Sequence, residues 1–465
     1  MRGVRVLGLL GIALIAGTAS GCVDEKIVYR DKPLFEDPPQ AAVGFLGYSN
    51  ADQKKTTCGN CHAGQQVKWV ESSHADAWDG LQASASKADY CYDCHTVSAL
   101  GNNADGAVKV AYSATKDTRY EDVQCESCHG GGLEHVTDPG QTQPKASILV
   151  ADQLTNGCGE CHSDTHHPFV EEWSASGHGR VTPSLLTRDE ASFASCGYCH
   201  EAKAALKTQF GVETEYLEKG STTRNAITCA VCHDPHGSSY PSQLRADPFT
   251  RNVDDNLCMK CHHKRAEPEL ASSQGAHSPQ AQLILGEDAG WRPPNFVLGD
   301  AQVYGTHSSE RNPKLCAGCH LSTTTVTDKA TDNFVMNTTG HSFKAIPCVD
   351  ANGKQTTDQN CALTSASFKA CTTSGCHGSE VAARSATTAL EARLTALSAE
   401  VNRLVALVPK TEFSTTDGKV TPGEGAKFNA TLLGGDRSRG VHNPFLIEAL
   451  LQSSIAYLKT YYSIS

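Results

Sequence analysis

Cys58-Gly-Asn-Cys61-His62 is the first of eight C-x-x-C-H segments in this chain of 465 residues. The others are Cys91 and Cys94 with His95, Cys125 and Cys128 with His129, Cys158 and Cys161 with His162, and Cys196 and Cys199 with His200. Further on come Cys229 and Cys232 with His233, Cys258 and Cys261 with His262, and Cys316 and Cys319 with His320. A ninth, stretched version, Cys371-Thr-Thr-Ser-Gly-Cys376-His377, has four residues between its cysteines. This is the attachment pattern of c-type haem. Two thiols add to the vinyl groups of one porphyrin, and the adjoining imidazole swings under the iron as its proximal ligand. One such segment alone fits a zinc half-site or a redox dithiol equally well. Eight copies, each with its histidine in place, do not. The expectation is nine covalently bound haem c groups.

The nine motifs use 18 of the 21 cysteines, leaving Cys22, Cys348 and Cys361. Arg2 and Arg5 precede an apolar run from Val6 to Ala16, and Ala19-Ser20-Gly21-Cys22 follows. That is the layout of an export signal. Cys22 after Ser-Gly resembles a lipobox cysteine, so residues 1–21 read as a lipoprotein-type signal and Cys22 as a lipidated mature terminus. Val23 in place of aspartate favours the outer membrane. Ala19 fits less well than leucine, and ordinary cleavage with an incidental cysteine is the alternative. Export agrees with haem attachment outside the cytoplasm. In an oxidising compartment Cys348 and Cys361 are expected to pair as a disulfide. Between them Asp350, Asn352 and Asp358 read as a solvated loop, with a Ca²⁺ site as the lesser alternative.

Hydrophobic residues make up 39% of the chain and aromatic residues 6%, thin for a core of this size. Porphyrins are expected to replace side chains as the apolar interior. The fold class predicted is mainly α, with short helices, extensive irregular loops and little sheet around a chain of haems. The formal charge of −11 becomes −13 without Arg2 and Arg5, and haem propionates add to it. Such an anionic surface speaks against nucleic acid and acidic membranes as partners. It suits other redox proteins or an extracellular electron acceptor.

Internal repetition sets the organisation. Trp69-Val-Glu-Ser-Ser-His74 follows the first motif, and Trp173-Ser-Ala-Ser-Gly-His178 follows the fourth. The next motifs begin at Cys91 and Cys125 in one case and at Cys196 and Cys229 in the other. This predicts three-haem modules at 58–157 and 158–257 and a more divergent third at 258–378. Residues 22–57 form an N-terminal linker and 379–465 a helical tail.

The run Val123-Gln-Cys125-Glu-Ser-Cys128-His129-Gly-Gly-Gly-Leu-Glu-His135 resembles the C-E-x-C-H-G-x-G-x-x-H stretch of a large multihaem family. That kindred includes tetrahaem electron carriers of ammonia oxidisers, hydroxylamine oxidoreductases and pentahaem nitrite reductases. Cys229-Ala-Val-Cys-His233-Asp-Pro-His236-Gly resembles another form common in such chains, as does Gly440-Val-His442-Asn-Pro444 in the tail. The resemblance covers roughly 58–377 and implies haem pairs in parallel-stacked and perpendicular contact.

Of 20 histidines, nine are proximal, so eleven remain to supply sixth ligands. His74 and His178 are repeat mates, His135 and His236 each follow a third motif, and His307 and His341 precede later motifs. These six, with His277 and His442, are the candidate distal ligands. His166, His167 and His263 lie close to proximal histidines and are the weaker candidates. Apart from Met1 and the intramotif Met259, the only methionine is Met336. Since Met/His ligation raises haem potential, its scarcity predicts low-potential, bis-histidine, six-coordinate irons. No motif ends in lysine, unlike the open haem of the nitrite reductases.

In the tail, Leu390, Leu394, Leu397, Val401, Leu404 and Val408 alternate spacings of four and three, an a/d seam. The seam fits either packing on the chain's own body or self-association. The helix is expected from Ser379 to about Val408, followed by a polar stretch from Thr411 to Lys427 and a last helix from Pro444 to about Tyr461. The functional expectation is an electron-transfer conduit in extracytoplasmic, anaerobic respiration. The alternatives are an oxidoreductase of nitrogen or sulfur compounds with one open haem, and a subunit of a cytochrome filament.

Overall fold

The computed structural model describes residues 35–150, 157–164, 167–270, 272–294, 296–299, 307, 311–327, 331, 333–358, 360–372 and 376–465. The signal segment 1–21, Cys22 and His166 lie outside them. Residues Asp37–Ser465 form one compact unit.

From residue 37 to the last haem motif, most helices are four to eleven residues long, separated by turns and irregular connections. Among the described residues sheet is confined to two antiparallel two-stranded ribbons, Tyr48–Asn50 with Lys55–Thr56 and Thr325–Thr327 with Phe334–Asn337. The fold is therefore mainly helical with little sheet. Apolar packing in this region is broken into small islands. One gathers Phe45, Val97, Val110, Tyr112 and Tyr120; another gathers Ile148, Ala205, Leu206 and Val231. The repeat is also visible in hydrogen bonding. Trp69 Nε1 donates to the Val123 carbonyl (2.9 Å), and Trp173 Nε1 donates to Ile227 (2.8 Å), each across 54 residues of chain.

Among the described residues the largest apolar core is in the tail. Ser379 caps the long helix Glu380–Val405 by accepting from Ala382 N–H. Its seam residues Leu390, Leu394, Val401 and Leu404 are buried against Leu432, Leu446, Ile447 and Leu450 of two further helices. The seam is thus occupied by the chain's own helices, Pro422–Asp436 and Pro444–Tyr461. The first of these corrects the sequence reading, which treated Thr411 to Lys427 as polar connection. Its start is a capping box: Thr421 Oγ1 accepts from Glu424 N–H while Glu424 Oε2 accepts from Thr421 N–H, with Pro422 at the first helical position. Gly425 lets this helix lie against Trp291, where a Cβ would stand 2.1 Å from the indole. Glycine is here a packing surface.

Candidate haem sites

A c-haem motif must present two thiols and an imidazole to one porphyrin edge. Positions i, i+3 and i+4 share one face of a helical turn. The chain supplies that turn repeatedly, in the helices Cys125–His129, Glu190–His200 and Leu315–His320. Elsewhere a single closing bond from the histidine N–H to the first cysteine's carbonyl does the same. It is 2.9 Å at His62, His162 and His233 and 3.2 Å at His262. All eighteen motif cysteines are free of disulfide bonds. Cys348 and Cys361, by contrast, are bonded to one another, with their Cα atoms 5.8 Å apart. In the loop they close, Asp350 Oδ1 accepts from Asn352 and Lys354 N–H. That carboxylate closes its own turn.

An iron held by two trans imidazoles needs roughly 2 Å from metal to each nitrogen and about 1 Å more to each ring centre, or about 6 Å in all. Eight of the nine motif histidines face a second imidazole at that spacing. His62 lies 6.2 Å from His135, His129 6.2 Å from His236, and His162 6.2 Å from His74. His200 lies 6.1 Å from His277, His233 6.2 Å from His341, and His262 6.1 Å from His178. His320 lies 6.1 Å from His442 and His377 6.4 Å from His307. His167 also stands 6.3 Å from His162, edge-on, and stacks on Phe169. Among the described residues no second imidazole stands at this distance from His95. The residues fit iron held between paired imidazoles at eight positions.

Ligation through Nε2 requires Nδ1–H to be held elsewhere. Backbone carbonyls do this for His95 (Ala77, 3.0 Å), His135 (Thr142, 2.7 Å) and His233 (Ser242, 2.7 Å). They also hold His320 (Phe343, 2.8 Å), and His129 through Lys145. His442 differs: its Nδ1 meets the carboxylate of Asp436 at 2.6 Å. A ligand imidazole must also be neutral. Burial pulls His162 and His178 down to about 4, and His262 to about 3.

The motif centred on Cys125 shows how the backbone is fastened. Glu126 is buried, and its two oxygens accept from Leu46 N–H (2.9 Å to each), Gly47 N–H (2.7 Å) and Gly132 N–H (2.7 Å). Gly130 turns the chain at φ +79°, and Gly131 passes so close to Gly44 that a Cβ would sit 3.0 Å from its carbonyl. The glutamate and the glycines together explain the local sequence. Glu172, which the sequence reading passed over, works similarly at a distance. It accepts from Thr339 N–H, Thr339 Oγ1 and His341 N–H, each at 2.8 Å, and so fixes the loop carrying His341. Neither Glu172 nor Asp436 carries a local sequence signal.

The motifs touch one another through their cysteines. Cys58 lies beside Cys125, Cys94 beside Cys161 and Cys158 beside Cys229. Likewise Cys199 lies beside Cys261 and Cys258 beside Cys316.

Two family models match parts of the chain: "Cytochrome c554 and c-prime" over residues 57–130 and "Doubled CXXCH motif" over residues 223–267. The chain is 26% identical over 255 residues to the multiheme cytochrome MtrA of Shewanella baltica (strain OS185), covering 51% of this chain and 68% of that one. It is 26% identical over 204 residues to the C-type polyheme cytochrome OmcC of Geobacter sulfurreducens, covering 37% of this chain and 25% of that much longer protein. The crystal structure of the outer cell wall cytochrome OcwA superposes with a TM-score of 0.56 at 16% identity, covering 89% of this chain and all of that one. This likeness speaks to the fold. With the repeated motifs and these matches together, the chain is a multihaem c-type cytochrome.

Proposed function

We propose that the protein binds nine c-type haems, at least eight of them low-spin and bis-histidine, and conducts electrons along them. The observation that carries this reading is the set of eight imidazole pairs at 6.1–6.4 Å, each joining one motif histidine to one non-motif histidine. Iron capped on both faces has no vacancy for a substrate, and its chemistry is one-electron transfer. Between His74 and His167, we assign His74 to His162, because its repeat mate His178 faces the first motif of the following module in the same way.

The cysteine contacts support an order. The first haem meets the third, the fourth meets the second and the sixth, and the seventh meets the fifth and the eighth. Cys128 also lies near Cys158, Cys232 near Cys258 and Cys319 near Cys376, which supports the links third to fourth, sixth to seventh and eighth to ninth. The path then runs 1-3-4-6-7-8-9, with the second and fifth haems as side branches. The likeness to MtrA, OmcC and OcwA supports placing the protein outside the cytoplasm, passing electrons to a redox partner or an extracellular acceptor. Tethering through lipidated Cys22 belongs to this proposal, as does the three-module organisation. No described helix is long and apolar enough to cross a membrane.

A second reading has one specific support. His95 lacks an imidazole partner among the described residues, which favours the second haem as a place where a small ligand reaches iron. Low-temperature EPR of the ferric protein tests both readings, with haem content fixed by pyridine haemochrome and intact mass. Nine haems and low-spin signals unmoved by nitrite or hydroxylamine sustain the pure conduit. A high-spin signal that shifts on ligand addition, and disappears when Cys91 and Cys94 are replaced by serine, sustains the second.

A further inference from the structure

We infer that Asp436 is a positioning residue that lowers the reduction potential of the haem carried by Cys316 and Cys319, making it the most reducing step of the inner path. The inference rests on the reading of His442 as that haem's sixth ligand. Asp436 ends the helix Pro422–Asp436, and its side chain is fully buried. Its Oδ1 accepts from His442 Nδ1 at 2.6 Å, and its Oδ2 accepts from Ser438 Oγ. Ser438 Oγ in turn accepts from His442 N–H at 3.2 Å. The carboxylate, the hydroxyl and the imidazole therefore form a closed set within seven residues of chain. Gln280 Nε2 bonds the Asp436 carbonyl, leaving its carboxylate to these two partners.

Physical chemistry gives the direction. A buried carboxylate is stable only when paired, and here its partner is an imidazole N–H. Drawing that proton toward oxygen gives the ring imidazolate character and makes Nε2 a stronger donor. A stronger axial donor, with a negative charge close behind it, favours ferric over ferrous iron. Elsewhere the Nδ1 partners are neutral: backbone carbonyls at His135, His233 and His320, and the carbonyl and hydroxyl of Thr339 at His341. His236 has a carboxylate nearby, but Asp234 Oδ1 lies 3.6 Å from Nδ1 and that imidazole is half-exposed. The carboxylate device is concentrated at His442. Since the eighth haem stands between the seventh and the ninth, electrons leaving or entering the last haem cross this step.

The test is a spectroelectrochemical titration of the full, haem-loaded protein and its variants. Asp436→Asn should move one haem of the set positive by at least tenfold in its redox equilibrium, about 59 mV for one electron, with every other haem unmoved and all irons low-spin. Ser438→Ala removes the competing hydroxyl, strengthens the bond to His442 and should move the same haem negative. Asp436→Glu should restore most of the wild-type value. Unchanged titrations in the asparagine and serine variants would overturn the inference, and so would a high-spin iron in Asp436→Asn, which reduces Asp436 to a structural prop. His442→Ala separates the two layers. One new high-spin haem confirms His442 as a ligand, whereas unaltered low-spin spectra overturn the ligand reading itself.

Discussion

Replacing Glu126 by glutamine changes one atom in a buried side chain, and the structure says what that atom does. The carboxylate oxygens receive three backbone N–H groups, from Leu46, Gly47 and Gly132, at 2.7–2.9 Å. Glutamine keeps one oxygen and turns an NH₂ toward at least one of those donors. One charge-assisted bond is lost and one buried N–H is orphaned, a cost of about 3 kcal/mol. At 1.4 kcal/mol per decade that is roughly a hundredfold increase in local opening. Hydrogen exchange on the haem-loaded protein reads it directly, in peptides spanning residues 44–48 and 130–133. Glu134→Gln, on an exposed side chain two turns of sequence away, is the control and should leave exchange unchanged. Acceleration of less than tenfold in Glu126→Gln, or acceleration spread evenly over the chain, would refute the argument that this carboxylate is the local fastener.

Three other outcomes are expected. His74→Ala should leave the fourth haem attached but convert one iron to high spin, with the haem count unchanged by pyridine haemochrome; a spectrum still wholly low-spin would shift the assignment to His167. Ring orientation should be readable in EPR, because parallel imidazole planes split the iron d levels more than crossed ones. The His129–His236 pair at 1° should give a rhombic signal and the His178–His262 pair at 75° a strongly axial one, each removed by alanine at its non-motif histidine. For acid, the buried imidazoles His162, His178 and His262 have folded values below the ordinary 6.5. A depressed value contributes stability that is full above about pH 6.5 and lost only as pH falls through the folded value, and iron competing for the same nitrogen would lower that value further. The low-spin Soret band should therefore hold to about pH 5, and a loss centred near neutrality would contradict this.

The attachment motifs stand out in the sequence because covalent haem chemistry is local: five residues make up each of eight, and seven the ninth. The histidines that the structure sets opposite the motif histidines could be picked out as candidates, since a protein with few methionines and eleven spare imidazoles has little else to offer. Their partners were not. His74 meets a motif 84 residues later and His442 one more than a hundred residues earlier, and no pattern in the sequence spans such gaps. Asp436 was invisible for a different reason. A lone aspartate at the end of a helix looks like any surface residue until the fold encloses it. The start of the helix Pro422–Asp436 was missed because it lies inside a polar, Gly/Thr-rich stretch, although Thr421-Pro-Gly-Glu424 announces a capped beginning.

The crossing of partner imidazoles also sets a timetable. His129 waits for His236, His162 already has His74 behind it, and His320 waits for His442, which lies beyond every attachment motif. A chain emerging amino-terminus first would accept porphyrins in order; on the proposed pairing the irons at His162, His262 and His377 would find their second imidazole already delivered, whereas the other five would wait for later sequence. On this pairing His442 is the last capping imidazole to arrive, 65 residues after His377. A polypeptide cut short after His377 would carry every attachment motif and still lack the cap on its eighth iron. The tail thus acts as a late seal on that iron, fastened only once His442 has been delivered.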